Sequence, residues 1–189
     1  MWKFQFSQLS MEGVYLIQPT VFWDDRGFFM ETYSEKEFKQ NWILSTFVQE
    51  NHSKSKKGVF RGFHFQLQHP QAKLVRVIHW AVLDIIIDLR KKFPTYWKVE
   101  KVVLSAENKT QLFVPRGFGH GFLTLEDDTE FVYKCDDFYF PEHESGIIYN
   151  DPIFWIDWDW IKLEYGLEEF LISEKDKKHW SFTSFESPF

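Results

Sequence analysis

The chain has 189 residues, a formal net charge of −6, 44% hydrophobic and 26% charged residues, and a single cysteine, Cys135. These totals suit one globular domain spanning 1–189 and exclude a disordered chain, an intramolecular disulfide and a cysteine metal cluster. The balance is acidic and the lysine groups Lys54–Lys57 (KSKK) and Lys175–Lys178 (KDKK) are short, so no nucleic-acid face is expected and an anionic ligand must be held by a local cationic pocket. The opening MWKFQFSQLS has no apolar stretch of signal-peptide length, and apolar runs such as Ile85–Ile87 are far too short to span a bilayer, so a cytoplasmic protein without a membrane partner is expected.

In chain order, alternation predicts strands over Val14–Pro19, Phe47–Glu50, Val59–Gln66, Lys73–His79, Ala81–Leu89, Lys98–Leu104, Gln111–Val114, Gly121–Leu125 and Thr129–Cys135. Ser34–Trp42 reads as a short helix with Ser34 and Glu37 spaced as a capping box. Turn residues such as Asp24-Asp25-Arg26-Gly27 and Pro115-Arg116-Gly117 punctuate the strands, and one or two short helices are expected after Ile161. Many short strands at this spacing argue for a mainly β sandwich or small barrel. Aromatic residues reach 20% of the chain, enough to fill a core and to cover a subunit contact as well.

The informative positions are polar residues that share a strand face with apolar ones. Lys73 lies with Val75 and Val77, Tyr133 with Phe131 and Cys135, and His64 with Phe60 and Gly62. If these faces line one interior, a lysine, a tyrosine and a histidine converge, although each is also an ordinary core or surface residue when taken alone. In GVFRGFHFQ an ideal strand puts Arg61 on the face opposite His64. Either Gly62 marks a bulge that re-aims the arginine, or Arg61 acts where the strand leaves the sheet. The glycines of VPRGFGHGF read as a loop at a barrel mouth carrying His120, and DDRGFFME as a turn presenting Arg26 beside Phe28 and Phe29.

Eight segments, in order DDRGFFMETY, FVQENHSKSKKGVFRGFHFQ, AKLVRVIHW, DIIIDLRKKFPT, LSAENKTQLFVPRGFGHGF, EFVYKCDDFY, IIYNDP and ISEKD, together resemble the dTDP-4-dehydrorhamnose 3,5-epimerase family, a branch of the cupin-like β-barrels. The resemblance implies a jelly-roll barrel or sandwich, a homodimer with an N-terminal strand exchanged, a dTDP-linked 4-keto-6-deoxyhexose as substrate, and no cofactor or metal. It implies His64 as general base, Asp176 as its orienting carboxylate, Tyr133 as general acid, and Lys73 with His120 at the enolate oxygen. Arg26, Glu31, Gln49, Asn51, Arg61, Glu144 and Lys175 match positions that hold the nucleotide-sugar, with Phe28 and Phe138 lining the pocket and Arg26 and Glu31 serving the neighbouring subunit. Departures fall at Trp80, at Phe138-Tyr139 in place of a tyrosine pair, and at Asp157-Trp158-Asp159-Trp160.

The chemistry explains this cast. Protons beside a ketone are acidic because the anion spreads onto the carbonyl oxygen, and inversion needs a base on one ring face and an acid on the other. A carboxylate selects the histidine tautomer, and a cation at the ketone oxygen stabilises growing charge by about 3 kcal/mol per donor. Members inverting only C3 or only C5, or acting on another 4-keto sugar, would carry the same residues. A metal-dependent cupin would need a second histidine beside His64 where the chain has Gln66, and a non-catalytic sugar-binding barrel would not need the full set.

Overall fold

The computed structural model describes residues 3–189. Its strands are β1 (Phe4–Gln8), β2 (Tyr15–Pro19), β3 (Val21–Asp24), β4 (Gly27–Met30), β5 (Gln49–Ser55), β6 (Val59–Gln66), β7 (Lys73–His79), β8 (Ala81–Asp88), β9 (Val99–Ser105), β10 (Gln111–Val114), β11 (Phe118–Thr124), β12 (Thr129–Cys135), β13 (Glu144–Gly146) and β14 (Leu171–Ile172), with helices α1 (Glu35–Gln40) and α2 (Trp158–Tyr165). One sheet runs β1-β2-β10-β7-β12-β5 and a second runs β13-β6-β11-β8-β9, with β14 parallel beside β6. The fold is the expected mainly β, cupin-like sandwich; the two sheets face each other without closing into a barrel.

The apolar alternation fills the space between the sheets. Val75, Val77, Leu112 and Phe131 of the first sheet pack against Val82, Ile86, Leu104 and Phe122 of the second. The outer face of the second sheet is also covered, because Phe60, Phe63, Ile85 and Ile87 pack under Ile147, Phe154 and Ile161 of the C-terminal segment. That double covering explains why β8 is buried almost throughout and reads as a continuous apolar run. A third cluster seats Phe38 of α1 on Phe4, Leu74 and Phe113.

Several expectations are corrected. Ser34 is the N-cap of α1, but its side chain makes no capping hydrogen bond, so the capping box does not form. The predicted strand at Phe47–Glu50 begins at Gln49, and the Asp24–Gly27 turn belongs to a separate β3–β4 hairpin. His120 stands in the middle of β11 rather than in a loop. Its flanking glycines serve close packing: a Cβ on Gly121 would lie 2.9 Å from the Arg61 carbonyl oxygen, and one on Gly62 2.5 Å from Gly121 Cα.

That contact resolves the GVFRGFHFQ stretch. His120 pairs with His64 and Phe122 with Arg61, so β6 spends one more residue than β11 between the two pairs. The bulge at Gly62 and Phe63 shifts the alternation. Phe60, Phe63 and Phe65 share the C-terminal core, while Arg61 and His64 both line the cavity.

Gly62 has φ +138° and is pressed on a neighbouring backbone, whereas Gly27 has φ +126° in open space. Gly62→Ala is expected to destabilise by at least about 2 kcal/mol, and Gly27→Ala by about 1 kcal/mol or less. Urea midpoints of the two variants measure the difference, which is the cost of separating β6 from β11.

Candidate active site

The two sheets open at one end into a cavity of about 370 Å³. His64, Arg61 and His120 reach it from the second sheet, Lys73, Tyr133, Gln49 and Asn51 from the first, and Glu144 from β13. A second, wider cavity of about 670 Å³ shares Arg61, His64 and Glu144 with the first and extends to Lys175 and Asp176. His64 therefore stands where the two meet.

His64 Nε2 lies 2.8 Å from Asp176 Oδ1. An ionised carboxylate only accepts, so Nε2 carries the proton and Nδ1 keeps its lone pair. Asp176 opens the 3-10 turn Asp176–Lys178, and its backbone N–H donates to Ser173 Oγ. Burial alone would raise its pKa, but the adjoining imidazoles of His179 and His64 outweigh burial and hold the carboxyl well below the usual range.

On the first sheet, Tyr133 and Lys73 are placed by neighbouring strands, with Cys135 directly opposite Lys73. Burial is the main cause raising the Tyr133 pKa, supported by Cys135 and opposed by Asn51 and Arg61, so the phenol keeps its proton. Burial lowers the Lys73 pKa against the pull of Cys135, Asp84 and Glu144. The Lys73 ammonium lies 5.8 Å from the Tyr133 ring centre. Cys135 itself is pushed up to about 11, chiefly by burial.

Three participants escaped the sequence reading. Asp84 accepts from His120 Nε2 at 2.9 Å in a fully buried pair; its signal was an acid inside the apolar run VLDIIID. Tyr139, not Phe138, lines the cavity and donates its hydroxyl to Glu144, which also pairs with Lys175 at 2.5 Å. His179 lies 3.3 Å from Asp176 Oδ1. Phe138 supplies a backbone carbonyl to Gln66 while its ring is exposed.

Arg26, Phe28 and Glu31 are not brought to this chain's own cavity. Arg26 pairs with Asp24 on the hairpin, Phe28 packs its ring at a tilt against Trp23, and Glu31 pairs with Lys3. The ligand-capable atoms of His64, Asp176 and His179 lie within 4.8 Å of one another. Asp176 is engaged by His64, however, and the His179 ring sits so close to Gly146 that a Cβ there would be 2.6 Å from Nε2. The trio is thus a hydrogen-bonded His64–Asp176 pair with His179 packed against it rather than an open coordination site.

A half-exposed histidine on a buried aspartate, facing a phenol and a lysine across the cavity of a cupin-like β-sandwich, is a set suited to proton transfer. The family profile of dTDP-4-dehydrorhamnose 3,5-epimerase matches residues 8–184. A protein of that name from Methanothermobacter thermautotrophicus is 46% identical over 175 residues, covering 93% of this chain and 92% of the relative. A Legionella pneumophila 3,5-epimerase solved with dTDP-4-keto-L-rhamnose superposes with a TM-score of 0.90 at 38% identity, covering 97% of this chain and 95% of that one. A 3′-monoepimerase from Streptomyces bikiniensis, solved with dTDP-quinovose, gives 0.83 at 31% identity, covering 93% and 86%. The chain belongs to the dTDP-4-dehydrorhamnose 3,5-epimerase family.

Asp176, whose pKa is depressed on folding, contributes stability that is present above the ordinary carboxylate value of about 3.9 and is lost as pH falls through the lower folded value. Asp176→Asn is therefore expected to be clearly less stable than the parent at pH 7. The gap should narrow on acidification below about pH 4, as read by urea midpoints at pH 7 and pH 3.

Proposed function

We propose that the protein inverts C3 and C5 of dTDP-4-dehydro-6-deoxy-D-glucose to give dTDP-4-dehydro-L-rhamnose, as a cytoplasmic homodimer in deoxysugar biosynthesis. The observation that carries this reading is the placement of His64 and Tyr133 on opposite sheets around one cavity, with Lys73 beside the phenol.

His64 Nδ1 takes the proton from the carbon next to the C4 ketone, while Asp176 offsets the charge that the imidazole gains. The electron pair moves onto the ketone oxygen, where Lys73 stabilises it, while His120, held by Asp84, lines the cavity nearby. Tyr133 returns a proton to the opposite ring face, and both residues recover their protonation states by exchange with water. Arg61, Lys175, Gln49 and Asn51 bind the nucleotide diphosphate and sugar, with Glu144 holding Lys175 in place.

In deuterated water both C3 and C5 are expected to gain label, with inversion confirmed by reductive trapping. His64→Ala should lower exchange by 10²-fold or more, about the worth of a positioned base. Tyr133→Phe should reduce inversion more than exchange, because the anion still forms but returns its proton to the wrong face. Label at a single carbon would instead favour the mono-epimerase reading that the Streptomyces bikiniensis likeness raises, and unimpaired exchange in His64→Ala would falsify the assigned base.

The β3–β4 hairpin exposes Trp23, Phe28 and Phe29 and carries Arg26 away from its own cavity. These residues complete the neighbour's pocket in the proposed dimer. Mixing an Arg26→Ala chain with a His64→Ala chain should then regenerate one site with both residues in each mixed dimer. Activity of the mixture is expected to exceed the sum of the two variants alone; strict additivity in a confirmed mixed dimer would refute the exchange.

A further inference from the structure

Outside the residues already assigned, one buried polar atom stands unused beside the proton-transfer pair. His179 Nε2 is fully enclosed and, among the described residues, has no well-aligned hydrogen bond. It lies 3.3 Å from Asp176 Oδ1, the same oxygen that His64 Nε2 meets at 2.8 Å. The two imidazole rings stand edge to face, 5.4 Å apart.

The backbone holds His179 there from two sides. It caps the 3-10 turn that begins at Asp176, and the next residue, Trp180, bridges in parallel to Ile147 and bonds the Gly146 carbonyl. Gly146 in turn pairs with His64 across β13 and β6. The absence of a side chain at Gly146 makes the slot for the ring, since a Cβ there would lie 2.6 Å from both Cδ2 and Nε2. His179 is not among the side chains that line either cavity, so it does not touch a bound sugar-nucleotide.

A bare lone pair on Nε2 would face an anionic oxygen and be repelled by it. The stable tautomer puts the proton on Nε2, directed at Asp176. Such bonds are often long and poorly aligned before substrate closes the site, and tighten in the reacting complex. Two donors on one carboxylate oxygen fix the rotation of that carboxylate better than one.

We propose that His179 is a positioning residue for proton abstraction: its Nε2–H, packed on Gly146, locks Asp176 so that His64 Nδ1 stays aimed at the sugar. This rests on His64 being the base. A small misalignment of a reacting group slows the chemical step without weakening substrate binding.

The test compares His179→Leu, which fills the slot without a donor, with His179→Gln, which restores one. For His179→Leu, kcat is expected to fall about tenfold or more with KM within twofold, and His179→Gln should recover most of the loss. Side-chain ¹H–¹⁵N spectra of the unsubstituted protein should show His179 as the Nε2–H tautomer, its signal moving in Asp176→Asn. Unchanged kcat in a folded His179→Leu, equal losses in both variants, an Nδ1–H tautomer, or a stoichiometric metal ion bound at His179 would each overturn the proposal. The base assignment fails separately: exchange that survives His64→Ala removes it whatever His179 does, whereas loss in His64→Ala with normal His179→Leu removes only the role of His179.

Discussion

Two glycines in contact determine which groups the cavity receives. Gly62 on β6 lies against Gly121 on β11 so closely that a methyl on either would meet backbone. The approach goes with an extra residue in β6 and reverses its alternation between Arg61 and His64. Without the reversal, the guanidinium and the imidazole would point to opposite faces of the sheet, one of which is a dry aromatic core under Phe154 and Ile161. With it, three phenylalanines of one short strand enter that core while both polar groups enter the cavity. The bulge thus satisfies a packing demand and a chemical one together.

The polar groups inside the sandwich fall into two kinds. Asp88 is fully buried and saturated, accepting from the Arg90 backbone and guanidinium and from Thr95 Oγ1. It ties the loop after β8 to the body and has no capacity left for a ligand. Lys73 is the opposite. Burial disfavours its charge, and its electrostatic neighbours, Cys135, Asp84 and Glu144, offset this only in part. An ammonium held under that disadvantage is one that an anionic oxygen arriving in the cavity would relieve, which is the state an enolate-stabilising group requires.

Alternation alone placed Lys73 and Tyr133 on inward faces, because β7 and β12 keep an unbroken register from Lys73 to Val77 and from Phe131 to Cys135, the case in which a period of two carries information. It failed where glycine was dense. VPRGFGHGF reads as a loop by composition, yet it is largely strand, since its glycines answer a close approach from a partner strand that no local pattern encodes. Asp84 was hidden because β8 is covered on both faces and shows no alternation to betray an odd residue. Asp176 is 112 positions from His64, so only the likeness of ISEKD to a known family joined the two. That likeness could not supply His179, whose position depends on how Trp180 bridges to Ile147.

One question of chemistry remains within the site, because it holds two histidine–aspartate pairs on directly paired residues, His64 and His120. Both direct Nε2 at a carboxylate and leave Nδ1 free, so hydrogen bonding does not distinguish them. Access to water does. The His120 side chain is 6% exposed, its carboxylate is wholly enclosed, and its ring is stacked with Phe131 near Phe122. Burial, the leading influence on it, disfavours the imidazolium despite Asp84. His64 is 30% exposed at the junction of two open cavities. A base must shed its proton to solvent in every turnover, which the exposure of His64 favours over the aromatic enclosure of His120. The boxed histidine, its N–H spent on Asp84, suits a fixed place in the cavity wall, and the open one suits proton abstraction. The same sheet can therefore carry two nearly identical dyads and assign them different work through the difference in their covering alone.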